Sequence, residues 1–277
     1  MININGKVYS NFNTIPSNII SAFFKNPVFE FKLRLENNQI IFWEEHYFMM
    51  MAQLRRLRLI IPMNFTIDYF IEEIVKLTAN VNEKSFIADI KFANEYKSEF
   101  NSFEPNLITA ILVTKTKSLI NSRILPIDEM SLFKDYNLTD QEFGSISYLQ
   151  KDIKRIASIE SYENNYNDNI ILNNKKNIIG SVLGNIFLFL NGKIICPSSH
   201  TGRESSVISD LFIEFLKIKK IDFYYESFGV FELQIANEFA VLSIEHGLQP
   251  VKKYRKKIYE SDHLPNLFNS FLRSSLV

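Results

Sequence analysis

Residues 184–197 read Gly-Asn-Ile-Phe-Leu-Phe-Leu-Asn-Gly-Lys-Ile-Ile-Cys-Pro, and the reading of this stretch decides the fold. Residues 185–190 form an apolar run of strand length. Asn191-Gly192 is the dipeptide that a two-residue hairpin turn favours, because both central positions of that turn need positive φ. Residues 193–196 return as the second strand. Downstream, Val207, Ile208, Leu211, Phe212 and Phe215 predict a helix over 205–219. Strands are predicted at 221–225, 239–244 and 249–254, with a short helix near 231–236 and a terminal helix near 263–274. Upstream lie predicted strands at 169–173 and 177–183. Before them Leu149, Ile153, Ile156 and Ile159 predict a helix over 148–163. Residues 114–145 are polar and irregular and contain Pro126, which suits a linker.

The N-terminal part has the same mixed character. Phe29, Phe31, Leu33 and Leu35 alternate with Glu30, Lys32 and Arg34, the pattern of a half-buried strand over 28–35. Trp43, Tyr47, Met50, Leu54 and Leu57 recur at helical spacing over 43–58, with Arg55, Arg56 and Arg58 mostly on the wet side and Pro62 beyond the end. Thr66 is placed to cap a helix whose apolar face is Ile67, Phe70, Ile71, Ile74 and Leu77. Strands are predicted at 85–92 and 107–113. Without strict strand–helix alternation, the pattern predicts an α+β protein, with subdomains at about 1–120 and 125–277.

Composition removes several classes of function. The chain has 277 residues, 46% hydrophobic and 22% charged, which are globular values. Lys plus Arg and Asp plus Glu both equal 31, so general nucleic-acid binding has no net basicity to draw on. Cys196 is the one cysteine, which rules out an internal disulfide and a cysteine zinc site. No apolar stretch reaches membrane-spanning length, and the Asn-rich start does not resemble a signal segment; a cytoplasmic protein is expected. Eight glycines, where average usage gives roughly 19, leave no Gly-rich phosphate loop and no dinucleotide fingerprint.

Single residues add little chemistry. His46, His200, His246 and His263 include no pair at the spacing of a zinc helix, and structural roles are expected for them; no metal site is predicted. Ser198, Ser199, Ser205 and Ser206 flank Gly202 without forming a nucleophile elbow. Arg55-Arg56-Leu57-Arg58 reads as a solvated face, and Met49-Met50-Met51 as packing.

Several short motifs, in order along nearly the whole chain, resemble those of the class IV pyridoxal-phosphate (PLP) aminotransferases, which include D-alanine transaminase, the branched-chain aminotransferases and aminodeoxychorismate lyase. Val28-Phe29-Glu30 is similar to the family's "FET" strand. Phe42-Trp43-Glu44-Glu45-His46 is similar to "F-x-E-E-H". Gly184-Asn185-Ile186-Phe187 and Lys193-Ile194-Ile195-Cys196-Pro197 are similar to "x-N-x-F" and "x-x-x-T-P". Ala236-Asn237-Glu238-Phe239 and Gly247-Leu248-Gln249-Pro250-Val251 are similar to "A-D-E-x-F" and "G-I-x-P-V". The resemblance implies PLP fold type IV, two α+β subdomains, and homodimers with active sites near the subunit interface.

The resemblance also implies a lysine bonded to PLP, a carboxylate on its ring nitrogen, and an arginine with hydroxyls and backbone N–H groups on its phosphate. In this sequence Ser147 stands at the lysine position, in Ser147-Tyr148-Leu149-Gln150. Gly180 stands at the carboxylate position, and Met49 at that of the phosphate arginine. Ser205 and Ile244 fall at later phosphate positions, and Glu204 adds a negative charge to the phosphate loop. Serine cannot form a Schiff base. Each lost charge-assisted hydrogen bond removes about 1.5–3 kcal/mol. Lys151, one helical turn beyond Ser147, is the substitute lysine to consider.

Three readings follow. The first is a degenerate member without bound PLP, working as a non-catalytic or regulatory subunit in a homodimer or in a heterodimer with an active paralogue. The second is an active PLP enzyme with an unconventional lysine. The third is a pocket reused without PLP, for which Glu30, Ser147, Arg203 and Glu204 are the candidate lining. No nucleic-acid or membrane partner is expected.

Overall fold

The computed structural model describes residues 1–79, 81–96, 105–139, 146, 150–260 and 262–276. Ser147 therefore lies outside the described residues. The chain forms two units, Met1–Ser118 and Leu119–Val277.

The N-terminal unit is a six-stranded antiparallel sheet carrying three helices. Its strands are β1 (Ile2–Ile4), β2 (Lys7–Tyr9), β3 (Pro27–Glu36), β4 (Gln39–Ile40), β5 (Phe86–Tyr96) and β6 (Pro105–Lys115), in the order β2-β1-β6-β5-β3-β4. The helices are α1 (Ser17–Lys25), α2 (Trp43–Arg56) and α3 (Ile67–Thr78). The Thr66 hydroxyl accepts from the Tyr69 N–H at 3.2 Å, the cap expected from the sequence. Phe29 and Leu33 of β3 are fully buried with Phe70 of α3 and Phe92 of β5. The alternation of β3 fails at its end, where Arg34 and Glu36 are also buried. They neutralise each other, with Arg34 Nε 2.7 Å from Glu36 Oε1. His46 is buried edge-on to Phe31.

Sequence reading gave no element before residue 28, yet β1, β2 and α1 lie there. Asn5 and Gly6 both have positive φ and join β1 to β2. The signal was an Asn-Gly turn like the one at Asn191-Gly192, flanked by strands too short to show a period.

The C-terminal unit holds two five-stranded sheets. One is built from β10 (Asn185–Leu190), β11 (Lys193–Pro197), β12 (Phe223–Glu226), β13 (Glu238–Ser243) and β14 (Gly247–Pro250), in the order β12-β11-β10-β13-β14. The hairpin β10–β11 pairs Leu188 with Ile195 and Leu190 with Lys193, and Asn191 and Gly192 take positive φ at its turn. The other sheet contains β7 (Met130–Leu132), β8 (Asp168–Leu172), β9 (Ile178–Ser181), β15 (Lys253–Tyr254) and β16 (Lys257–Ile258), in the order β16-β15-β7-β8-β9. Ile170, Ile178, Ile186, Leu188, Ile195, Phe239 and Val241 share one core between the sheets. Phe187 projects to the opposite side of β10 and meets Phe212 at 5.6 Å between ring centroids. That ring belongs to α5 (Val207–Ile218), which packs on α7 (His263–Leu276) through Phe212 and Phe268. The remaining helices are α4 (Lys151–Glu163) and α6 (Val230–Ile235).

Two sequence expectations change here. The supposed linker 114–145 contains β7, which pairs in parallel with β8 through Met130 and Asp168. Three residues are too few to show a period, and only the partner strand makes them a strand. The single strand expected at 249–254 is two, β14 and β15, in different sheets.

Candidate functional site

The C-terminal unit carries a narrow cleft lined by Gln150, Lys154, Ile171, Ile179, Gly180, Ser181, Gly184, Asn185 and Glu204. The first turn of α4 supplies Lys154, preceded by Gln150. The end of β9 and the start of β10 supply Gly180 to Asn185. The loop before α5 supplies Glu204. The walls leave no space between them for a water-sized sphere, whereas pockets for small molecules run from roughly 300 Å³ upward.

Its contents are polar and mutually matched. Lys154 Nζ forms an ion pair with Glu204 Oε2, and the two side chains are 19% and 24% exposed. Three amides hold the loop that carries Glu204. Gln150 Nε2 donates to the Gly202 carbonyl at 2.8 Å. Asn173 Nδ2 donates to the Thr201 carbonyl at 3.0 Å. Asn185 Nδ2 donates to the Glu204 carbonyl at 3.2 Å and to Ser209 Oγ at 3.1 Å. Two of these donors, Gln150 and Asn185, line the cleft, and each spends an amide N–H on a carbonyl of the loop rather than on a ligand.

At the other end the backbone is fitted to glycine. Gly180 has φ +157°, and a Cβ there would lie 3.0 Å from the Gly184 carbonyl oxygen. A Cβ on Gly184 would lie 2.2 Å from the Leu242 oxygen, so β10 and β13 approach at a distance that admits no side chain. Asp168 is a buried carboxyl close to this cleft. Burial pushes it up to about 6, against the pull of Ser181, the Asn169 N–H and the Lys154 charge, which favour the ionised form. Its neighbour Asn169 donates to the Ala157 carbonyl at 2.8 Å and to Glu160, fixing α4 against β8.

Of the residues singled out from sequence, Gly180 and Glu204 meet in this cleft. Arg203 does not join them. It is buried beside Asp210, 3.4 Å from Nη2 to Oδ1, with its guanidinium 5.5 Å from the Tyr225 ring centroid. Cys196 is buried, and burial pushes its thiol up to about 12. Ser205 and Ile244 are half-buried in the C-terminal unit, and Lys151 is exposed at the start of α4. Glu30 and Met49 belong to the N-terminal unit, where Glu30 is 3.2 Å from Lys91. Sequence reading missed Lys154 and Asp168. Lys154 had a signal, since it follows Ser147 by seven positions, about two helical turns; Asp168, at a strand end, had none. Among the described residues no group of three or more His, Cys, Asp or Glu is placed to hold a metal, and no helix is long and apolar enough to cross a membrane.

Two mixed sheets in one unit, an antiparallel sheet in the other and a cleft at the head of β10 define a class. The class IV amino-transferase family model matches residues 28–254, and the chain belongs to that PLP-dependent family. The branched-chain aminotransferase of Thermoproteus uzoniensis is similar over 99% of this chain and 94% of its own, with TM-score 0.83 and 14% identity. That of Escherichia coli is similar over 99% and 94%, with TM-score 0.81 and 15% identity. A hypothetical aminotransferase from Mycobacterium tuberculosis is similar over 100% and 99%, with TM-score 0.81 and 11% identity. At such identities the likeness establishes the fold, PLP fold type IV. No curated protein matches the sequence significantly.

Proposed function

We propose that this chain is a degenerate class IV aminotransferase that forms no Schiff base with PLP and acts by association, as a non-catalytic or regulatory subunit. The observation that carries this reading is the geometry at Gly180. Family resemblance puts there the carboxylate that keeps the cofactor ring protonated. Instead the residue is glycine with φ +157°, and any Cβ would press on the Gly184 oxygen at 3.0 Å. The chain has adapted its backbone around the missing side chain. Ser147 at the lysine position and Met49 at the arginine position add to this from sequence. The residues present do not fit PLP as the family holds it. The partner is a second copy or an active paralogue.

A second reading draws on Lys154, which lines the cleft where Lys151 does not. It makes Lys154 the amine of an active enzyme. One experiment separates the two. The purified protein is incubated with PLP, treated with borohydride and digested for mass spectrometry, and transamination is assayed with D- and L-amino acids. The degenerate subunit acquires no reduced adduct and transfers no amino group. An adduct on Lys154 with measurable turnover establishes the second reading and removes the first.

A further inference from the structure

Resting on the same reading of the cleft, we propose that the Lys154–Glu204 ion pair is its resident occupant: Lys154 supplies an internal ammonium, and the Glu204 carboxylate paired with it takes the place of an external anionic group.

The argument is electrostatic. A site for a phosphate dianion needs N–H donors and fixed positive charge around the anion. Here the loop that would face it turns the Gly202 and Glu204 carbonyl oxygens to the Gln150 and Asn185 amides, and carries a carboxylate. That carboxylate repels an anion and stabilises a cation. Lys154 supplies one from the chain itself, in the first turn of the helix that begins beside the cleft. Each partner is about four-fifths covered, so each charge depends mainly on the other rather than on water. While the pair is closed, the walls of the cleft leave no water-sized space between them. Glu204 is thereby a selectivity residue, excluding anions and fixing Lys154.

The test uses the full-length chain with four forms: wild type, Lys154→Met, Glu204→Gln and the double variant. Melting temperature and binding of inorganic phosphate and of PLP, by calorimetry, are measured for each. Removing one partner strands the other charge in a largely covered site, so each single variant is expected to melt about 5 °C lower. The double variant loses less than the two singles together, because no lone charge remains. Wild type shows no saturable phosphate or PLP binding. Glu204→Gln frees the ammonium and binds phosphate at least tenfold more tightly than wild type, while the double variant does not.

Additive melting losses, or wild-type anion affinity equal to that of Glu204→Gln, overturn the proposal. If the single variants do not fold, the double variant and wild type still decide it by their anion binding: saturable binding by wild type that the double variant lacks refutes it. Reversible PLP binding by wild type without a reduced adduct defeats this inference and leaves the non-catalytic reading standing. An adduct with turnover defeats both.

Discussion

His46 sets a pH dependence that can be isolated. Both ring nitrogens are buried without a hydrogen-bond partner, and burial lowers its pKa from 6.5 to about 3. The folded chain therefore keeps the imidazole neutral where the unfolded chain has protonated it. Stability from this residue is full above about pH 6.5 and is lost as pH falls toward 3. Asp168 works in the opposite direction. Its pKa rises from 3.8 to about 6, so its proton favours the fold at low pH and stability falls as pH rises through that interval. The two slopes oppose each other in wild type between about pH 4 and 6. Asp168→Asn, which keeps an acceptor for the Asn169 N–H, is expected to unmask the His46 slope: urea midpoints that are flat in wild type over that range should rise with pH in the variant. An unchanged profile would remove Asp168 from the account. Cys196, fully buried, should resist thiol reagents in the native state and react only on unfolding.

At the scale of elements, the two glycines of the β10 region make contrasting predictions. Gly192 sits at the hairpin turn with φ +80° and open space around it. Alanine there should cost about 1 kcal/mol, the strain of a left-handed residue. Gly184→Ala drives a methyl group into the β13 backbone and should cost about 3 kcal/mol. Denaturation midpoints of the two variants measure the difference, and equal losses would mean that β10 and β13 separate without penalty. In the N-terminal sheet, Glu36 accepts from Arg34 at 2.7 Å and from Ser85 at 2.8 Å. Glu36→Gln leaves the buried guanidinium without its counter-charge and should cost about 3–5 kcal/mol, read in the same way.

At the scale of the whole molecule, association is the expected activity. Sedimentation of the purified chain should give a dimer, or a monomer that dimerises only with an active paralogue from its native host. A chain that stays monomeric and returns alone from an affinity capture in that host would contradict the subunit reading. Adding PLP should leave its melting temperature unchanged, since a ligand stabilises only the state that binds it.

The sequence by itself determined the family and the main elements. Asn191-Gly192 dictates a hairpin whatever surrounds it, because few residues tolerate positive φ. The apolar faces of α2, α3 and α5 are periods that any reader can count. Ser147, Gly180 and Met49 are identities, readable without coordinates once the flanking motifs fix the register. Tertiary structure alone decided how the backbone runs at Gly180 and what lines the cleft beside it. That β7 is a strand depends on β8 beside it, and that β14 and β15 separate depends on which sheet takes each. That Lys154 rather than Lys151 reaches the cleft depends on where α4 begins and how Asn169 holds it. Spacing along a chain fixes which side chains share a face; which of them meet across elements is set by packing, and packing closed this cleft on a lysine and a glutamate 50 residues apart.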